Sequence, residues 1–219
     1  MSNYKYILFD FDGTLTDSSE GIYKSLTYAF EAYGHGTPSE ELLKKFIGPP
    51  LHYSFTEFCG FTPEHSVEMT EKYRERYRVK GYLESRLYDG IYELLEELKN
   101  RGYKLATASS KPLHFVDAIC EKLDIKKFFD HLGGTTFDNT SESKAMVCEN
   151  AMKQLGGTVE NTLMVGDTRF DIEGAHAVSL PCCAVLYGFG SREDFEKYGV
   201  DTSGIVTYDS SYASFSSCI

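Results

Sequence analysis

Tryptophan is missing from this 219-residue chain, and its aromatic content rests on 16 tyrosines and 15 phenylalanines. Positive charge is scarce: 22 Lys and Arg stand against 33 Asp and Glu, a formal net charge of -11. Nucleic acid and anionic membranes are held through basic patches, so this balance argues against both as bulk partners. A small anionic substrate is still allowed, because a local site can invert the global sign. No C-x-x-C pair occurs among Cys59, Cys120, Cys148, Cys182, Cys183 and Cys218. The thiols therefore read as free cysteines of a reducing compartment. Long hydrophobic runs are lacking too, and none would span a bilayer. The opening MSNYKY shows no basic-then-apolar signal pattern. The cytoplasm is the expected compartment.

What is present begins with Tyr6-Ile7-Leu8-Phe9, an apolar run that ends in Asp10, Asp12, Gly13 and Thr14. It reads as a buried strand opening onto an acidic edge. If the strand continued, alternation would send Asp10 and Asp12 to one side, and two such acids would need a cation. Helical spacing follows from Ser18 to Tyr33. A capped, proline-primed start at Thr37-Pro38 leads into Leu42, Leu43 and Phe46. Gly48-Pro49-Pro50 breaks that helix, and Thr62-Pro63 starts the next, with Met69, Tyr73 and Tyr77 on one face. Residues 17–85 thus read as all-helical.

Past Asp89 the pattern alternates. Helices are expected near 91–101, 115–123, 142–155, 170–178 and 192–198. Strands are expected at 103–108, 131–136, 162–165, 182–186 and 205–206. The tail SSYASFSSCI reads as loosely held. Alternation of this kind predicts an α/β fold, a Rossmann-like doubly wound, mostly parallel sheet. Residues 1–16 and 86–219 form the core in this reading. Residues 17–85 form an inserted helical cap over the sheet's carboxyl edge.

Ligands of open parallel sheets bind outside the carboxyl ends of the strands. Three expected strands end there in polar residues: Asp10 and Asp12; Ser109, Ser110 and Lys111; and Gly166-Asp167, with Asp171 four residues on. Lys144 opens a helix nearby in sequence order. Several carboxylates in a small space call for a hard cation, and all-oxygen donors suit Mg2+ better than Zn2+. A carboxylate nucleophile beside Mg2+, a hydroxyl and a lysine is the set that phosphoryl transfer requires. Each residue also has a plainer reading. Asp-Gly is a common turn, and Asp171 can be a helix-start carboxylate. Ser109 and Ser110 can both be caps, and Lys144 can be a solvated lysine. Lys111 reads as a surface or rim residue, and Arg169 as facing solvent or pairing with a neighbour.

These residues resemble the haloacid dehalogenase-like hydrolases, in the phosphatase branch with a helical cap. DFDGTLTDS matches the family's D-x-D-G-T motif, and Ser109 in ASSKP its strand-end hydroxyl. Lys144 in SESKAMV matches its lysine, and GDTRFD its closing acidic motif, with Asp167 and Asp171. The resemblance covers essentially the whole chain in order. It implies Asp10 as a nucleophile that becomes an aspartyl-phosphate and Asp12 as the general acid and base. Mg2+ would be held by Asp10, the Asp12 carbonyl, Asp167, and Asp171 directly or through water. Ser109 and Lys144 would hold phosphoryl oxygens. FIGPPL resembles the cap loop of phosphoglycolate phosphatases and 5′-nucleotidases, which makes Gly48, Pro49 and Ser110 candidate substrate contacts.

The expected function is hydrolysis of a small phosphorylated metabolite, a 5′-nucleotide or phosphoglycolate. A sugar-phosphate mutase on the same core is the alternative, weakened because SSEGIYKSL lacks the cap-helix histidine that such mutases carry. A phospho-accepting regulatory domain would lack both the insert and the second acid. The oligomeric state is not legible.

Overall fold

The computed structural model describes residues 4–136, 142–200, 204–206 and 215. The Ser-rich tail, except Phe215, lies outside them. The described chain runs β1 (Tyr6–Phe9), β2 (Thr16–Asp17), α1 (Ser19–Ala32), α2 (Glu40–Lys44), α3 (Leu51–Cys59), α4 (Pro63–Tyr77), β3 (Arg86–Leu87) and α5 (Ile91–Asn100). It continues with β4 (Lys104–Thr107), α6 (Leu113–Lys122), α7 (Lys144–Leu155), β5 (Thr162–Gly166), α8 (Arg169–Ala177), β6 (Cys182–Val185), α9 (Arg192–Lys197) and β7 (Ile205–Val206). Contacts divide it into two compact units. One takes the residues up to Thr16 and from Leu87 onward, and the other is Asp17–Arg86.

The first unit is built on a five-stranded sheet in the order β4-β1-β5-β6-β7. Every pair is parallel. Ile7, Leu8 and Phe9 of β1 are all buried. A strand covered on both faces reads as a continuous apolar run, not an alternating one. Leu8, Ala106 and Met164 from three adjacent strands share a cluster with Val147, Cys148 and Ala151 of α7 and Ala175 of α8. A second cluster joins Ile172, Ala184, Phe195, Val200 and Ile205. The chain leaves β1 for β4 on one side and returns to β5 on the other. The order therefore reverses at β1, and a crevice opens at the strand ends beside such a reversal.

The expected strand at 131–136 does not form. Two isolated bridges replace it, His131 with Ala106 and Thr135 with Pro112. Gly133 and Gly134 explain the difference. A Cβ on Gly133 would run into the Thr107 carbonyl, and one on Gly134 into the Lys111 carbonyl. The segment is pressed against β4 and the turn beyond it, where only glycine fits.

The second unit is helical, apart from Asp17 and Arg86 at its ends. β2 and β3 pair as a separate ribbon, and Arg86 donates to the Asp17 carboxylate at 2.8 Å. One helix escapes the sequence reading. α3 starts behind Pro50 and stops at Gly60, whose φ of 68° gives a left-handed cap. Its Phe55 is fully buried, against Phe30, Phe46 and Phe61. The proline and glycine that delimit α3 are the usual start and stop signals. Only nine residues lie between them, a short window for a periodicity argument.

Candidate active site

Asp10 is set by β1. Its N–H donates to the Val165 carbonyl at 2.8 Å, carrying the sheet pairing one residue past the strand. On the other side Ala108 N–H donates to the Phe9 carbonyl at 2.7 Å. Asp10, Ser109 and Asp167 therefore leave three neighbouring strands at one edge. The strand does not extend to Asp12. Leu15 and Thr16 N–H groups turn back onto the Phe11 carbonyl, and Gly13 N–H donates to Thr16. Gly13 makes this loop with a φ of 95°, and a Cβ there would strike the Asp167 carboxylate. Glycine is required on both counts. Alternation therefore does not bring the two acids together, and each has its own lysine.

Asp10 pairs with Lys144. The Nζ lies 2.5 Å from Asp10 Oδ1 and 2.6 Å from Asp171 Oδ1. Lys144 is the first residue of α7, which Ser143 caps by accepting from Met146 N–H at 3.3 Å. The side chain of the lysine expected at a helix start is thus only 8% exposed instead of solvated. Asp171 also keeps its plainer role. Its Oδ2 accepts from Thr168 N–H at 2.9 Å and from the Thr168 hydroxyl at 2.8 Å, the reciprocal cap of α8. One oxygen faces the cap and the other the lysine. Asp167 is fully buried. It accepts from the Thr14 hydroxyl at 3.0 Å and from Phe189 N–H at 2.9 Å.

Asp10, Asp167 and Asp171 each offer an oxygen within 4.8 Å of the others. Three buried carboxylates beside one ammonium leave an excess of negative charge, which favours their protonated forms. Burial, reinforced by Asp171 and Asp12 and opposed by Lys144, pushes the Asp10 carboxyl up to about 7. Burial, then Asp171 and Asp10, holds Asp167 well above the usual carboxylate range. Burial alone would depress Lys144, but Asp10 and Asp171 outweigh it and hold its pKa above the ordinary lysine value. Such a cluster is short of positive charge, and its donors are all oxygens. It suits a hard divalent cation.

Asp12 stands apart from that cluster. Its two oxygens lie 2.9 and 2.8 Å from Lys111 Nζ. Lys111 is neither at the surface nor at a rim, as its sequence position suggested, but buried. Ser109, also buried, accepts from Lys111 N–H at 3.2 Å, whereas Ser110 is exposed. Sequence reasoning gave no role to Thr14, the last residue of D-x-D-G-T, and took Lys111, two residues past Ser109, for a surface or rim residue. Arg169 pairs with a neighbour, donating to the Tyr198 hydroxyl at 3.1 Å. Gly48 and Pro49 lie in the second unit, in the turn between α2 and α3.

A family profile described as haloacid dehalogenase-like hydrolase matches residues 7–185. A 5′-nucleotidase of Pseudomonas aeruginosa is 39% identical over 195 residues, which span 89% of this chain and 88% of that one. The pyrophosphatase PpaX of Oceanobacillus iheyensis is 33% identical over 197 residues, 89% of each chain. The crystal structure of a predicted phosphatase from Clostridium acetobutylicum superposes with a TM-score of 0.87 at 38% identity, over 94% of each chain.

Proposed function

The chain belongs to the haloacid dehalogenase-like hydrolases, and from that membership we propose a Mg2+-dependent phosphomonoesterase that acts on a 5′-nucleotide through an aspartyl-phosphate. The observation that carries this reading is the buried carboxylate cluster of Asp10, Asp167 and Asp171, with Lys144 between two of its members. Asp10 is the nucleophile. Its carboxylate oxygen attacks phosphorus while the bond to the ester oxygen breaks, and Asp12 gives that oxygen a proton. Asp12 then takes a proton from water as the water attacks the aspartyl-phosphate. Phosphate leaves and Asp10 is restored. Lys144 and the Ser109 hydroxyl bind the phosphoryl oxygens. Asp10, Asp167, the Asp12 carbonyl, and Asp171 directly or through water would hold the metal, which would offset charge on the transferring group.

The 39% identity to a 5′-nucleotidase favours nucleotides as substrates. FIGPPL resembles the cap loop of both 5′-nucleotidases and phosphoglycolate phosphatases, so phosphoglycolate is the competing choice.

Phosphate release from an aryl phosphate tests the chemistry. Purified protein with Mg2+ is expected to be active, and EDTA to abolish the activity. Asp10→Asn is expected to be inactive with an unchanged circular dichroism spectrum; activity retained in that variant removes Asp10 as nucleophile. Comparing kcat/KM on 5′-nucleotides, phosphoglycolate and sugar phosphates decides the substrate. The reading expects the nucleotides to lead.

A further inference from the structure

The helical unit holds a histidine pair that the proposed reaction does not use. His35 Nε2 and His65 Nε2 stand 2.8 Å apart, although the residues are 30 positions apart in sequence. His65 Nδ1 lies 3.0 Å from the Glu68 carboxylate. An ionised carboxylate only accepts, so that contact requires the His65 proton on Nδ1. With both rings neutral, the Nε2 of His65 then carries a lone pair, and the proton between the rings belongs to His35. Carboxylate to imidazole Nδ1, with Nε2 free to donate electrons, is how proteins orient a metal-binding histidine.

Both rings are held in place. His35 follows Gly34, whose φ of 73° ends α1 in a left-handed turn, and its N–H donates to the Phe30 carbonyl at 2.9 Å. Its ring stacks on Phe61 at 4.7 Å. His65 lies in the first turn of α4 and meets Phe61 edge-on at 4.8 Å. Such packing spares the entropy that a metal would otherwise have to remove from two free side chains. Solvent still reaches the pair, because His35 is exposed and His65 only half-buried.

We propose that His35 and His65 form a binding site for a borderline divalent transition-metal cation of the Zn2+ class. The ion bridges the end of α1 to the start of α4, and Glu68 orients His65. Imidazole nitrogens select such ions over Mg2+, so the pair is chemically distinct from the carboxylate cluster. In a tetrahedral site with Zn–N bonds of about 2.0 Å, two nitrogens sit roughly 3.3 Å apart. The rings need to part by only about half an ångström from their present spacing. On binding, the proton between the rings moves to His35 Nδ1, and each Nε2 gives its lone pair to the metal. Water completes the coordination.

The test is calorimetric titration of the whole chain with Zn2+ in excess Mg2+. Wild-type protein is expected to bind one more Zn2+ than either His35→Gln or His65→Gln. Glu68→Gln is expected to bind that ion about 10–100-fold more weakly, as loss of a ligand's carboxylate partner does. Hydrolysis of an aryl phosphate with Mg2+ alone, equal in all the proteins, confirms that they are folded. Equal Zn2+ stoichiometry in wild type and both histidine variants overturns the site. Should a histidine variant fail to fold, unchanged Zn2+ affinity in the surface variant Glu68→Gln overturns it instead.

Discussion

Asp12 and Asp10 are two residues apart and differ in everything that surrounds them. Asp10 shares its lysine with Asp171 inside a crowded anionic cluster, whereas Asp12 has both oxygens on Lys111. The motif D-x-D-G-T made both acids legible in the sequence. It did not make Lys111 legible, because nothing local separates a buried lysine from a solvated one. What buries it is distant in sequence. Thr135 N–H donates to the Lys111 carbonyl at 3.0 Å, and Gly134 allows that segment to come close. If Asp12 moves protons, Lys111 is a positioning residue that fixes where its carboxylate stands. A correctly placed general acid and base contributes about 10²- to 10⁴-fold in rate. Lys111→Met is therefore expected to lower kcat by roughly 10²-fold while KM moves less. Steady-state kinetics on an aryl phosphate checks this, and a wild-type kcat in the variant would rule the role out.

At the level of elements, the strands were readable as apolar runs and the longer helices as periodic faces with caps. Two readings failed where the determinant was not periodic. α3 is too short to show its face, and 131–136 is held by close approach of glycine backbone, not by a ladder. α7 shows how an element serves the site. Lys144 is its first residue, so the cap that begins the helix also fixes the backbone from which the lysine reaches Asp10 and Asp171. Ser143 supplies that cap through Met146 N–H. Removing an N-cap side chain costs about 1 kcal/mol. Ser143→Ala is expected to lose that amount in urea denaturation, and Ser143→Asn, which can still accept from Met146 N–H, to recover most of it. Equal midpoints for the alanine and asparagine variants would mean that the cap contributes nothing.

Taken as a whole molecule, the metal-free protein carries its buried carboxylate cluster as a cost to stability, and pH controls the size of that cost. Burial pushes the Asp10 carboxyl from its ordinary 3.8 up to about 7 on folding. Asp167 shifts in the same direction. A raised folded-state pKa gives a contribution that is fully present below the unfolded value and lost as pH rises through the folded one. The window thus runs from about pH 4 to about pH 7, with a slope of at most about 1.4 kcal/mol per pH unit for each proton. Lys144, raised above its ordinary 10.5, stays charged throughout and does not blur it. Asp130 acts elsewhere. Burial would raise it, but Lys104, Lys99 and the Leu105 N–H bring it down to about 2, so its contribution disappears only in stronger acid. A cation bound to the ionised carboxylates stabilises the folded state by mass action. Mg2+ should therefore raise the melting temperature more at about pH 8 than at about pH 5.5, because protons compete for the same oxygens at the lower pH. Asp10→Asn removes one titrating group. In metal-stripped protein, the stability of wild type relative to Asp10→Asn should fall between about pH 5.5 and about pH 8. Thermal melts of both proteins at the two pH values, with and without Mg2+, measure it. Parallel pH dependence in wild type and variant would show that Asp10 is not the strained carboxylate, and a Mg2+ shift that is independent of pH would show that the cation binds away from this cluster.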